Sequence, residues 1–215
     1  MRLLVLVTFL IVSVFSQASS RLERKSYSAV PLSQQAASDR SADPFLFALN
    51  STTSEAAEFA PHIADVPILD QDGRSLHFYT DLVKGKVVAI QFIFTRCTTI
   101  CPPLGATFSK LQRSFAPEMG KTVFLISVSV DPINDTPERL RAWGKQFGAG
   151  PGWTLVTGTP NNLKRIQQSF GTDTASPQDH SPIIVIGNDK KSVWKKVYGL
   201  GSASTLIKTM QEVGM

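Results

Sequence analysis

From about Ala60 onward, the hydrophobic positions of this chain switch repeatedly between strand-like runs and helical spacing. Val66-Pro67-Ile68-Leu69, the polar stretch Asp70-Gln71-Asp72-Gly73-Arg74 and Ser75-Leu76-His77-Phe78 read as an edge strand, a turn and its continuation. The nearly unbroken apolar run Val87–Phe94 predicts a strand covered on both faces. From near Pro103, Leu104, Phe108, Leu111 and Phe115 recur at spacings of 4, 3 and 4, which is one face of a helix. Val123–Val130 predicts a second buried strand. Asp135-Thr136-Pro137-Glu138 then opens a helix with the stripe Leu140, Trp143 and Phe147. Asp135 can cap it with Glu138 as reciprocal partner, and Thr136 before Pro137 is an equally good cap. Trp153–Thr157 reads as a short strand, and Leu163, Ile166 and Phe170 as a third helix. Ile183–Ile186 and Val193–Tyr198 flank Gly187-Asn188-Asp189 as an antiparallel hairpin, and Ala203–Val213 closes as a helix.

Strands alternating with helices, then a hairpin and a final helix, predict an α/β domain with a central mixed β-sheet flanked by helices. The thioredoxin-like fold fits this order, and other α/β folds share it. What precedes the domain has a different character. Met1-Arg2, the apolar Leu3–Phe15 stretch and Ser16-Gln17-Ala18 have the three parts of a secretory signal peptide, so residues 1–18 are expected to be one. The apolar run is short for a bilayer core of about 30 Å, so export is favoured over an uncleaved anchor through residues 3–15. Residues 19–58 are rich in Ser, Ala, Gln and Asp and read as a flexible arm, leaving 59–215 as the folded domain. The expected location is periplasmic or otherwise extracytoplasmic, where two thiols can become a disulfide.

Composition narrows the choice further. With 42% hydrophobic and 18% charged residues the chain is neither wholly disordered nor a polytopic membrane protein. Its net charge of +5 is scattered apart from a loose Lys190, Lys191, Lys195 and Lys196 grouping, so no nucleic-acid partner is expected.

The chemistry-bearing inventory is small. The two cysteines, Cys97 and Cys101, follow the first buried strand and precede a helix, the end of a strand where sites collect in parallel α/β sheets. If both occupy the first helical turn, their Cα atoms stand about 6 Å apart. At that separation the sulfurs can bond to each other or converge on one metal ion. A helix N-terminus and the neighbouring Arg96 favour thiolate. His180, in Asp179-His180-Ser181-Pro182, precedes the Ile183 strand, which could carry it to the cysteine loop. Two thiolates and an imidazole form a soft, low-coordinate set that suits copper, Cu(I) especially, better than Mg or Ca. His62 and His77 read as surface residues. Asp131, in the Asp131-Pro132 turn, and Asp135 end the second buried strand and could support the cysteine loop from behind.

Cys97-x-x-x-Cys101-Pro102, Asp131-Pro132-x-x-Asp135-Thr136 and Asp179-His180-Ser181 occur in the order and spacing of the SCO/SenC family, thioredoxin-fold copper proteins of cytochrome c oxidase assembly. The resemblance runs from about Asp65 to Val213 and includes Lys84-Gly85-Lys86. It implies that Cys97, Cys101 and His180 ligate copper, as Cu(I) or Cu(II), and that the chain is a metallochaperone for the oxidase's binuclear copper site. The implied partner is a copper-accepting protein, a cytochrome c oxidase subunit. The alternative is a thiol–disulfide oxidoreductase using Cys97 and Cys101 as a redox pair on a partner's cysteines; a peroxidase is a third and weaker fit. The chain departs from the family pattern at Thr98, where members commonly have proline, and at Pro182.

Overall fold

The computed structural model describes residues 57–214. The predicted leader and nearly all of the predicted arm lie outside the described residues. Within them an eight-stranded mixed sheet has the order β1-β8-β7-β4-β5-β6-β2-β3. Its strands are β1 (Ala57–Glu58), β2 (Pro67–Asp70), β3 (Ser75–His77), β4 (Val87–Ile93), β5 (Val123–Ser129), β6 (Trp153–Thr157), β7 (Ile183–Asn188) and β8 (Val193–Tyr198). The helices are α1 (Cys101–Ser114), α2 (Pro137–Gln146), α3 (Pro160–Phe170) and α4 (Ala203–Glu212). β4, β5 and β6 run parallel, and β7 returns antiparallel beside β4. The predicted mixed sheet with flanking helices is therefore present, with its boundaries displaced by a residue or two. Besides the single helical turns Pro177–Asp179 and Asp189–Lys191, two elements were not foreseen. β1 pairs with β8 at one edge, and Phe78–Val83 forms a single wide helical turn that buries Phe78, Leu82 and Val83.

Every residue of β4 is buried, as expected of a central strand covered on both sides. Gln91 and Phe92 point to opposite faces by strand alternation. Gln91 Nε2 donates to Ser127 Oγ at 2.8 Å, and Trp153 Nε1 donates to the same oxygen at 2.9 Å. Trp153 in turn packs on Phe108 of α1. On the other face, the Phe170 ring of α3 meets Phe92, Phe78 and Trp194. The α1 stripe Leu104, Phe108, Leu111 and Phe115 is buried along its whole length.

Gly187 lies under the Trp194 ring, where an added Cβ would stand 2.1 Å from the indole. Gly187→Ala is therefore expected to cost about 2 kcal/mol by overpacking, read from urea unfolding.

Candidate functional site

The site is assembled where β4 ends, because three neighbouring strands open there. Extending the β4–β7 register beyond Gln91↔Ile184 brings the residues just before β7 alongside those just after β4. Extending the parallel β4–β5 register beyond Ile93↔Ser129 does the same for the segment after β5. Thus His180 reaches the cysteine loop from one side and Asp131 and Asp135 from the other.

Cys97 and Cys101 do not share a helical turn. Only Cys101 is in α1, at its first position, while Cys97 lies in the preceding loop with its N–H on the Phe94 carbonyl at 3.1 Å. The reason lies in the helix start. Ile100 offers no capping side chain, and Pro102 and Pro103 have no N–H to cap. Of the first four helical N–H positions only two carry a donor: Leu104 binds the Ile100 carbonyl, and Cys101 donates to Cys97 Sγ at 3.4 Å. The cysteine sulfur stands where a Ser or Asp oxygen would ordinarily cap.

That arrangement separates the two thiols, which are free rather than disulfide-bonded. Burial acts to raise the Cys97 thiol, but hydrogen bonds from the Cys101 thiol, the Cys101 N–H and Thr99 outweigh it and hold the group below its ordinary value. Burial pushes the fully enclosed Cys101 thiol far up, and the same bond to Cys97 adds to the rise. Arg96 is not the cause of the Cys97 bias. Its guanidinium pairs with Asp131, Nη2 to Oδ2 at 3.2 Å, so its charge is committed to that carboxylate. Reduced protein treated with iodoacetamide near neutral pH should therefore gain one adduct, on Cys97, with Cys101 modified only after unfolding; peptide mass spectrometry reads this directly.

Asp131 and Asp135 hold the loop from behind. Asp131 accepts from Arg96 and from Asn134 Nδ2, while its own N–H rests on Ser129 Oγ at 3.0 Å. Asp135 is not the cap of α2. Thr136 is, accepting the Arg139 N–H, because the Asp135 side chain is turned inward. Its carboxylate accepts Thr95 N–H at 3.1 Å, Thr95 Oγ1–H at 2.6 Å and Ser129 Oγ–H at 2.6 Å. Burial nevertheless carries the Asp135 carboxyl above the ordinary range, with the Ser129 and Thr95 bonds opposing it.

His180 is 5% exposed, and its ring stands edge-on to Phe94 with centroids 5.6 Å apart. Nδ1 lies 2.8 Å from the Pro177 carbonyl, which can only accept, so in the neutral ring Nδ1 carries the proton and Nε2 the free lone pair. Nε2 is buried without a hydrogen-bond partner among the described residues. Cys97 and His180 line one cleft of about 420 Å³, together with Phe94, Arg96, Thr98 and Gln178. Cys101, fully buried, is not among the residues that line it. Among the described residues no three His, Cys, Asp or Glu side chains are gathered at metal-binding distance. His62 and His77 are exposed, as expected.

The SCO1/SenC family model matches residues 54–213. The chain belongs to the SCO1/SenC family. Its sheet and flanking helices are accordingly the thioredoxin-like fold of Sco proteins. The SCO1 protein homolog of Bacillus subtilis (strain 168) is 38% identical over 118 residues, covering 54% of this chain and 60% of that relative. The chain spans about half to three fifths of the length of the curated relatives it matches. BsSco, a member of the Sco family of cytochrome c oxidase assembly proteins in which a disulfide switch is identified, superposes with a TM-score of 0.62 at 25% identity. That match covers 73% of this chain and 95% of BsSco. Arabidopsis thaliana ScoI, solved with copper bound, shares the fold with a TM-score of 0.58 at 21% identity, over 74% of this chain and 97% of that one.

Reading this SCO1/SenC domain from sequence missed Thr95, Ser129 and Gln178. Ser129 carries a visible signal, being with Ser127 one of two polar residues in a largely apolar strand. Gln178, at the cleft mouth, carries none.

Proposed function

We propose that this SCO1/SenC domain binds one copper ion through Cys97, Cys101 and His180 and passes it to a copper-accepting protein during cytochrome c oxidase assembly. The observation that carries the reading is the His180 Nε2 lone pair, buried and unpartnered beside Cys97. A buried polar atom without a partner is costly unless something binds it. The donor set of two sulfurs and an imidazole is soft, as copper prefers. A ring fixed through Nδ1 to a carbonyl is oriented as ligating histidines are. Copper is cargo here, so loading would draw the cysteine loop and His180 together. The names of the relatives, assembly proteins of cytochrome c oxidase and a copper-bound ScoI, support the same cargo and the same class of acceptor. Export through residues 1–18 into an extracytoplasmic compartment belongs to this proposal.

Titration of the reduced chain with Cu(I), against a competing chelator, should reach one copper per chain, and Cys97→Ser should remove tight binding. A stoichiometry unchanged in Cys97→Ser would overturn the site.

The thiol asymmetry favours a second reading, a thiol–disulfide oxidoreductase. A cleft-lining, acidified Cys97 fits the attacking thiolate, and the enclosed Cys101 fits the resolving thiol that then completes the Cys97–Cys101 disulfide as the partner leaves reduced. Reduction of a protein disulfide by copper-free chain, with loss of both thiols as one disulfide forms, distinguishes it.

A further inference from the structure

The strands that carry site residues at one end carry lysines at the other. Lys84 and Lys86 precede β4, whose exit leads to Cys97, and Lys121 precedes β5, whose exit leads to Asp131. β7 runs antiparallel to β4, so His180 precedes it and Lys190 and Lys191 follow it. The topology thus gathers five lysines at the pole opposite the cysteine cleft.

Lys121, Lys190 and Lys191 border one concavity of about 560 Å³ beside the end of α4, with Glu118 the lone carboxylate in its lining. Two further acids lie nearby. Asp189 accepts the Gly85 N–H at 2.6 Å and the Tyr79 hydroxyl at 3.4 Å, and Glu212 pairs with Lys195 and Lys208. Lys121 and Lys190 form no ion pair among the described residues, and Lys191 Nζ donates only to the Gly214 carbonyl, at 3.0 Å. Lysines from two segments, Lys121 before β5 and Lys190 and Lys191 after β7, outnumber the two acids beside them, Glu118 and Asp189, and make a surface matched to negative charge.

We propose that this lysine pole binds phosphate-bearing anions, their source being the headgroups of an anionic membrane surface, and that docking there turns the cysteine cleft away from the bilayer. Each lysine near such a surface strengthens partitioning about fivefold, so three neutralised together should weaken it about a hundredfold.

The test is flotation of the full chain with vesicles of phosphatidylcholine alone and with added phosphatidylserine. The ratio between the two vesicle types isolates the charge-dependent part from any insertion by the apolar residues 3–15. The expected result is a strong preference for the anionic vesicles at low salt. That preference should fall about a hundredfold in Lys121→Gln/Lys190→Gln/Lys191→Gln and vanish at about 1 M salt, where the Debye length is about 3 Å. Lys145→Gln/Lys164→Gln/Arg165→Gln removes equal charge from other exposed positions and should keep most of it. Equal loss in both triple variants, or no preference in the wild type, would overturn membrane docking. A calorimetric titration with inorganic phosphate and pyrophosphate separates the sources. Binding of free phosphate that the pole variant loses, without vesicle preference, keeps the anion site and overturns the lipid source; absence of both overturns the proposal entirely.

Discussion

His180→Ala should lower copper affinity by more than the roughly 10–100-fold that loss of an outer-shell partner costs, because it removes a ligand itself. The same variant should leave the Cys97 alkylation rate close to wild type, since the groups that acidify that thiol are Cys101 and Thr99 rather than the imidazole. The pairing of these two readouts is what makes the prediction specific. A merely structural histidine, packed edge-on against Phe94 and tied to Pro177, would change stability without a selective effect on copper. His180→Phe completes the comparison by keeping an aromatic ring against Phe94 while offering no lone pair. It should bind copper as poorly as His180→Ala and unfold nearer to the wild type. Copper affinity preserved in His180→Phe, measured by competition with a chelator, would exclude the imidazole as ligand and leave the cysteine pair as a dithiol without a third donor.

The parts of this site that were legible in the sequence are those whose signal is local. Cys97 and Cys101 announce themselves by spacing, and the helix after them by the Leu104–Phe115 stripe. His180 was placed by reasoning about its strand alone, and the antiparallel β4–β7 pairing is what brings it to the cleft. Where the reading failed, a local rule was overridden by a tertiary contact. Asp135 has good N-cap chemistry, but Thr136 beside it can do that work. The one position where a carboxylate can collect both Thr95 donors and the Ser129 hydroxyl is inside. Arg96 next to Cys97 in sequence suggested charge stabilisation of a thiolate, yet Asp131, 35 residues on, takes the guanidinium. Placing both cysteines in one helical turn failed for a reason visible only in hindsight, since two prolines leave the helix start with a donor that the Cys97 sulfur can serve. The placement of charge behind the site is therefore set by the pairs Arg96–Asp131 and Thr95–Asp135, distant in sequence, while the bias of the Cys97 thiol is set locally by Cys101 and Thr99.

Asp135 is the position where that long-range pairing should have its largest measurable effect on stability. Asp135→Ala strands three donors, the Thr95 N–H, the Thr95 hydroxyl and the Ser129 hydroxyl, in a place that is 1% exposed. An unsatisfied buried donor costs about 1–3 kcal/mol, and the two hydroxyls can partly reorient, so a loss of about 3 kcal/mol is expected. Asp135→Asn keeps an acceptor for Thr95 and should cost far less. The two substitutions also differ from wild type in pH dependence. The folded state holds the Asp135 proton more tightly than the unfolded chain, because burial raises the carboxyl above its ordinary value of 3.8. Its contribution to stability is then complete below the unfolded value and is lost as pH rises through the folded one. Urea unfolding of wild type and Asp135→Asn across the acid range should show the gap moving in favour of the amide as pH rises, then levelling once the folded carboxyl has ionised. A gap moving the other way would mean that the Thr95 and Ser129 bonds outweigh burial and that the carboxylate is the favoured form. In either case Thr95 links the result to chemistry: with its anchor gone in Asp135→Ala, the Cys97 loop is held by Arg96–Asp131 alone on that side. Copper affinity and the selectivity of Cys97 alkylation should then fall together with stability, whereas Asp135→Asn should retain both.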